Sequence, residues 1–147
     1  VRNLAGSTTG DKDNPMLYAT LNVLALCIAL AAFETLHGIV RAAILVPRVG
    51  KKSALRISIF SGSILAFLVC YYFVPKIGST DTVQLLGVGL VAALFMALFD
   101  VSFARVVLKR PLASSLRDFN PATGNYLIYG LLFLIVCPLL VMNIRAW

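Results

Sequence analysis

The chain has 147 residues, of which 60% are hydrophobic and only 13% charged, with a mean hydropathy of +0.92. A water-soluble domain carries about 25% charged and about 45–50% apolar residues, so this composition excludes one and indicates an integral membrane protein sized for a single helical bundle. The formal net charge of +7 does not point to nucleic acid, because the basic residues flank apolar runs and lack the interleaved aromatics used for base stacking.

Residues 1–14 form a polar N-terminal tail without the basic-then-apolar layout of a signal peptide. Val1 in first place implies that an initiating or processed residue is absent, or that the start codon is unusual. The remainder, 15–147, reads as one all-α transmembrane domain. Four apolar runs predict spanning helices at about 16–46, 55–74, 83–108 and 126–144. No alternating segments of the β-barrel kind occur.

The first run opens at Asn14-Pro15, where Asn14 suits a cap and Pro15 the first helical position, and it is expected to end at Pro47. Within it, FETLHGIVR places Glu34, His37 and Arg41 at i, i+3 and i+7, on one face. The second run has Ser53 as a candidate cap and Pro75 as its stop. The third opens with Asp81-Thr82-Val83-Gln84, which has capping-box spacing, and closes with Asp100 and Arg105. Next, LKRPLASSLRDF sets Leu112, Leu116 and Phe119 at helical spacing, with Arg110 and Arg117 available to headgroups. It reads as a short interfacial helix, an ordered loop being the alternative. The turn-rich stretch 120–124 leads into the fourth run, where Pro138 either kinks or terminates the helix.

Basic residues set the expected orientation. The first connection holds Arg41, Arg48, Lys51, Lys52 and Arg56, and the third holds Arg105, Lys109, Arg110 and Arg117; together these are 9 of the 13 Lys and Arg. The positive-inside rule then predicts cytoplasmic first and third connections, with both termini outside. Tyr18, Tyr71, Tyr72, Phe73, Tyr126, Tyr129 and Trp147 cluster near the predicted helix ends, as an aromatic belt would.

Small residues recur at four-residue spacing: Ala25 and Ala29, then Ser58, Gly62 and Ala66, then Gly89, Ala93 and Ala97. Such ridges let membrane helices approach closely, within this bundle or against another protein. Cys27, Cys70 and Cys137 each sit inside an apolar run without metal or disulfide spacing, and read as small buried hydrophobes.

The polar groups inside the spans are the candidate site. AFETLHGIVR and LFDVSFAR both place an acid before an arginine at the same expected depth, a short echo that suggests a two-fold repeat of helix pairs. Cross-helix ion pairs, Glu34 with Arg105 and Asp100 with Arg41, are expected to close the cytoplasmic end as a polar clasp. Glu34-x-x-His37 is also half of a di-iron motif, but the chain has one histidine and too few intramembrane acids to complete that site. A haem ligated by His37, a metal site completed by another subunit, and a proton relay through Glu34, His37 and Asp100 stay open. No GxSxG, Walker, GxGxxG or HExxH signature appears.

The layout resembles uncharacterised small four-span bacterial inner-membrane proteins in which an acid-x3-Gly-x2-Arg group closes the first span, here Glu34, Gly38 and Arg41. The third span departs from that pattern, with Asp100, Ala104 and Arg105. The resemblance implies the four-span fold and an inner-membrane location, and no activity.

Three functions are carried forward. The favoured one is a non-catalytic accessory subunit packing onto a larger membrane complex or a homo-oligomer. The second is a small transporter or channel using Glu34, His37 and Asp100, and the third an electron-transfer subunit with His37 as ligand. No cofactor is expected beyond bound lipid, and no nucleic-acid partner.

Overall fold

The computed structural model describes residues 14–106, 109, 111–117, 120, 122 and 127–147. The expectations placed on the tail 1–13, Arg110, Phe119, Tyr126 and most of 120–124 lie outside the described residues. The helices are α1 (Pro15–Val40), a π-helical turn (Arg41–Leu45), α2 (Val46–Val49), α3 (Lys51–Ile77), α4 (Thr82–Val106), the short α5 (Leu112–Arg117) and α6 (Leu127–Arg145). The first three form one continuous 35-residue helix, Pro15–Val49; with α3, α4 and α6 it makes four helices long and apolar enough to cross a membrane. The protein is an all-helical, four-span integral membrane protein.

Hydrocarbon offers polar groups no water, so they must be satisfied within the chain. Thr20, Thr35 and Ser61 accordingly donate to the carbonyls one turn back, those of Met16 (2.8 Å), Ala31 (2.7 Å) and Ile57 (3.0 Å). Asn14 stands at the start of α1, but its backbone oxygen takes the Tyr18 N–H (3.0 Å) while its side chain makes no capping bond.

Neither proline expected as a stop ends its helix. Pro47 lacks an N–H and its ring crowds the carbonyl four residues back. The π turn just before it widens the ladder, with the Val46 N–H reaching back to the Arg41 carbonyl, and the helix runs on to Val49. It ends at Gly50, whose φ of 81° reverses the chain in a single residue. Because α3 then starts at Lys51, Ser53 lies inside its first turn and is no cap. Pro75 likewise sits within the last turn of α3, which stops at Gly78 in the left-handed region. At the opening of α4 the Ser79 hydroxyl donates to the Gln84 side chain, so the capping-box glutamine is engaged outside the box. Pro138 is buried within α6, and the helix continues to Arg145.

Around the bundle α1 neighbours α3, α3 neighbours α6, α6 neighbours α4, and a lighter α4–α1 contact closes the ring. Asn22 Nδ2 donates to the Lys76 carbonyl (3.4 Å), while His37 meets Ser61, so α1 and α3 run antiparallel. A two-fold repeat of hairpins about the bundle axis would place α1 and α4 on a diagonal. They are neighbours instead, so the echo between the first and third spans has no rotational counterpart in the fold.

The core is apolar and lies toward the Gly78 end of the spans, with Leu26, Leu30, Val74, Leu85, Cys137 and Val141 fully or almost fully buried. Cys27, Cys70 and Cys137 reach it from three different helices, and the Cys70 and Cys137 thiols lie next to each other. Gly89 is the tightest point, since a Cβ there would overlap the backbone of Ile135 on α6. Ser58, Gly62, Gly89 and Ala93 are buried, and Ala25, Ala29, Ala66 and Ala97 are half-buried. Much of the small-residue ridge therefore packs within the chain. Outside, Lys76 Nζ stands 3.5 Å over the Tyr72 ring and the Arg145 guanidinium 4.7 Å over that of Tyr71, a cationic and aromatic fringe at one end.

Candidate functional site in the bundle

At the end where α1 turns into α3, the four spans part around a cavity of about 130 Å³. Glu34, His37 and Arg41 reach it from one face of the first span, Ser58 and Ser63 from α3, and Asp100 from α4. The remaining walls are mostly apolar and come from all four spans, with Met96, Leu131 and Phe133 among them. Arg41 is the first residue of the π turn, so the departure from α-helical geometry falls where the guanidinium meets the cavity. Such π turns are frequent at functional positions.

His37 does not face outward toward another subunit, as the sequence reading left open. Its Nε2 lies 2.7 Å from the Ser61 hydroxyl of α3, and its Nδ1 lies 3.8 Å from Glu34 Oε2. Ser61 donates its own proton to the Ile57 carbonyl (3.0 Å), so it receives one from Nε2. That leaves Nδ1 turned to the Glu34 carboxyl, and a proton is needed on one or the other to avoid setting a lone pair against an anion. At 3.8 Å the two are too far apart for a hydrogen bond, so that proton rests on one of them and not between them.

The expected cross-helix ion pairs do not form. Of the charged groups on the cavity, Glu34 and His37 come within 4 Å of each other, at 3.8 Å. Asp100 and Arg105 are five residues apart, roughly 140° around a helix, so α4 cannot turn both inward. Asp100 lines the cavity, while Arg105 is exposed and does not. Arg41 and Asp100 both line the cavity without making the expected contact.

Ser58, read from sequence as a packing residue, turns out to be part of the site. It is only 4% exposed, lines the cavity, and its hydroxyl has no hydrogen-bond partner. An unsatisfied buried hydroxyl costs about 1–3 kcal/mol. Ser61 and Ser63 were missed altogether. The available signal was three hydroxyls within six residues of an otherwise apolar span, on both sides of Gly62.

The geometry does not fit a haem on His37. Both ring nitrogens face partners inside the chain, and about 130 Å³ is well below the roughly 300–1,000 Å³ of pockets that hold drug-sized molecules. Among the described residues no three His, Cys, Asp or Glu side chains converge as a metal set.

A second, more open hollow of about 340 Å³ lies at the opposite end, with Thr20, Ser79 and Gln84 at its edge. The buried core stands between the two. Fold and site together define a four-span integral membrane protein with a mostly apolar pocket between its helices, on which Glu34, His37, Arg41 and Asp100 converge. No family model matches the sequence, and neither the curated proteins nor the solved structures contain a match.

Proposed function

We propose that this chain is a small transporter of a bacterial inner membrane, working through the intrabundle cavity, with Glu34, His37 and Asp100 as the groups that carry charge during the cycle. The observation that supports it is the convergence of these three groups with Arg41 and the orphan Ser58 hydroxyl on one cavity. A purely structural bundle gains nothing from such an arrangement, because voids and unpaired hydroxyls both cost stability. The bias of basic residues supports an N-out, C-out orientation, which sets the cavity toward the cytoplasmic side and the second hollow toward the outer side.

The test is to reconstitute the protein in vesicles carrying a pH-sensitive dye, impose a pH gradient, and add small cations, anions, zwitterions and neutral solutes in turn. At least one class should discharge the gradient, and Glu34→Gln should abolish the response. Vesicles that hold the gradient against every class would sink the reading.

The accessory-subunit reading comes second. It is favoured by Gly87, which faces outward on α4 with open space where a Cβ would sit and so offers a neighbouring helix a close approach. Purification in mild detergent that always yields the chain alone would remove that reading.

A further inference from the structure

The chemistry of the cavity narrows what it holds. Its charged groups are Glu34, His37 and Arg41 from the first span and Asp100 from α4; the faces of α3 and α6 that line it contribute hydroxyls, glycines and apolar side chains but nothing titratable. Arg41 balances one carboxylate. The second is balanced only while Glu34 or His37 holds one added proton. Low-dielectric surroundings penalise any net charge, so the resting site is neutral with that proton and negative without it.

A proton alone leaves two features without an occupant. One is the cavity, about 130 Å³, close to the roughly 150 Å³ apolar cavity that accepts benzene, a molecule of about six heavy atoms. The other is Ser58, a residue of its wall whose hydroxyl is buried and has no hydrogen-bond partner. An occupant that satisfies both has an N–H group for Ser58 Oγ to accept, a short apolar body for the Leu, Ile and Phe walls, and a single positive charge to replace the proton. An anion would face two carboxylates. A metal ion would lack a set of ligating side chains among the described residues.

We propose that the cavity is a binding site for a small, singly charged organic cation of the guanidinium or ammonium class, which enters by displacing the proton held by Glu34 or His37. Charge balances in the exchange: one cation is bound and one proton is released to solvent. The inference rests on the same cavity as the transport reading, yet it concerns binding and is tested without flux.

Ethylguanidinium is a suitable probe, because it stays charged at neutral pH and matches the cavity in size. Ethylurea is its uncharged isostere, and butyrate an anion of equal heavy-atom count. Titration calorimetry on the full chain in detergent, repeated in buffers of different ionisation enthalpy, reads affinity and proton release together. Saturable binding of ethylguanidinium with about one proton released, and no binding of ethylurea or butyrate, is the expected result. Glu34→Gln should abolish both binding and release, and Ser58→Ala should weaken binding roughly two- to tenfold, the worth of one neutral hydrogen bond.

Should Glu34→Gln fail to fold, Gly130→Leu serves instead. Gly130 lines the cavity and a Cβ there meets nothing within 4 Å, so the leucine should fill the space and block binding in a folded protein. Binding of ethylurea or butyrate as tight as that of ethylguanidinium, binding without proton release, binding undiminished in Gly130→Leu, or no binding at all would each overturn the proposal. The two readings fail separately. Binding with proton release but no gradient discharge removes the transporter and keeps the cation site; discharge by anions alone does the reverse.

Discussion

Toward the Gly78 end of the bundle α4 and α6 touch backbone to backbone at Gly89 and Ile135, and the core around them is sealed by Leu26, Leu85 and Val141. Nearer Gly50, the same four spans part around a cavity that holds charge and leaves a hydroxyl unsatisfied. Small residues serve both regions in opposite ways. At Gly89 the missing side chain closes the helices together, whereas at Gly62 it makes room for the Glu34 and His37 side chains and at Gly130 it leaves a space open. A glycine or alanine ridge in a membrane helix is thus a statement about distance, and the neighbour decides whether that distance is filled by backbone or left for an occupant.

Adding one methyl group at each glycine is the sharpest way to break this comparison. Gly89→Ala should be the most damaging, because the methyl meets the Ile135 backbone, which cannot rotate away; overpacking of this kind costs about 1–3 kcal/mol or more. Unfolding in denaturing detergent should show the loss, and a variant as stable as the parent would refute the close approach. Ser58→Ala should act in the other direction, stabilising the ligand-free protein by about 1 kcal/mol once the orphan hydroxyl is gone, while it weakens cation binding. Loss of stability in that variant would mean the hydroxyl has a partner after all.

Gly130→Ala should stabilise by roughly 0.5–1 kcal/mol through helix propensity alone, since the methyl enters open space. The same thermal assay reads it, and destabilisation would show that the cavity is already filled by packing. The smallest expected change belongs to Gly62→Ala. Its Cβ would sit 3.4 Å from Glu34 Oε1 and 3.5 Å from His37 Cε1, within reach of a slight side-chain adjustment. Folding should change little, and proton release on cation binding should respond more than stability does. Equal effects at Gly62 and Gly89 would erase the distinction between the two regions.

The number of spans was legible because unbroken hydropathy is a strong signal, and so was the shared face of Glu34, His37 and Arg41, which follows from helical period alone. Helix ends were less so. Pro47 and Pro75 read as stops, but a π turn accommodates the first and the final turn tolerates the second. The order of helices around the ring could not be read, because spans apolar on every side carry no stripe to show which face is inward. That gap produced the wrong ion pairs: depth matched Glu34 with Arg105, and only the rotation of α4 separates Asp100 from Arg105. Ser58 passed for a packing residue because a serine at ridge spacing looks the same whether its hydroxyl is satisfied or not.

The three cysteines give the molecule a built-in reporter. All the thiols in the chain sit in the buried layer between the two hollows, so the resting protein should be silent to a polar alkylating reagent without any mutation. Labelling that rises when ethylguanidinium is present would time the moments at which that layer admits water. Mass spectrometry of the labelled chain would then show, from whether Cys27, Cys70 or Cys137 reacts first, which helix lets it in.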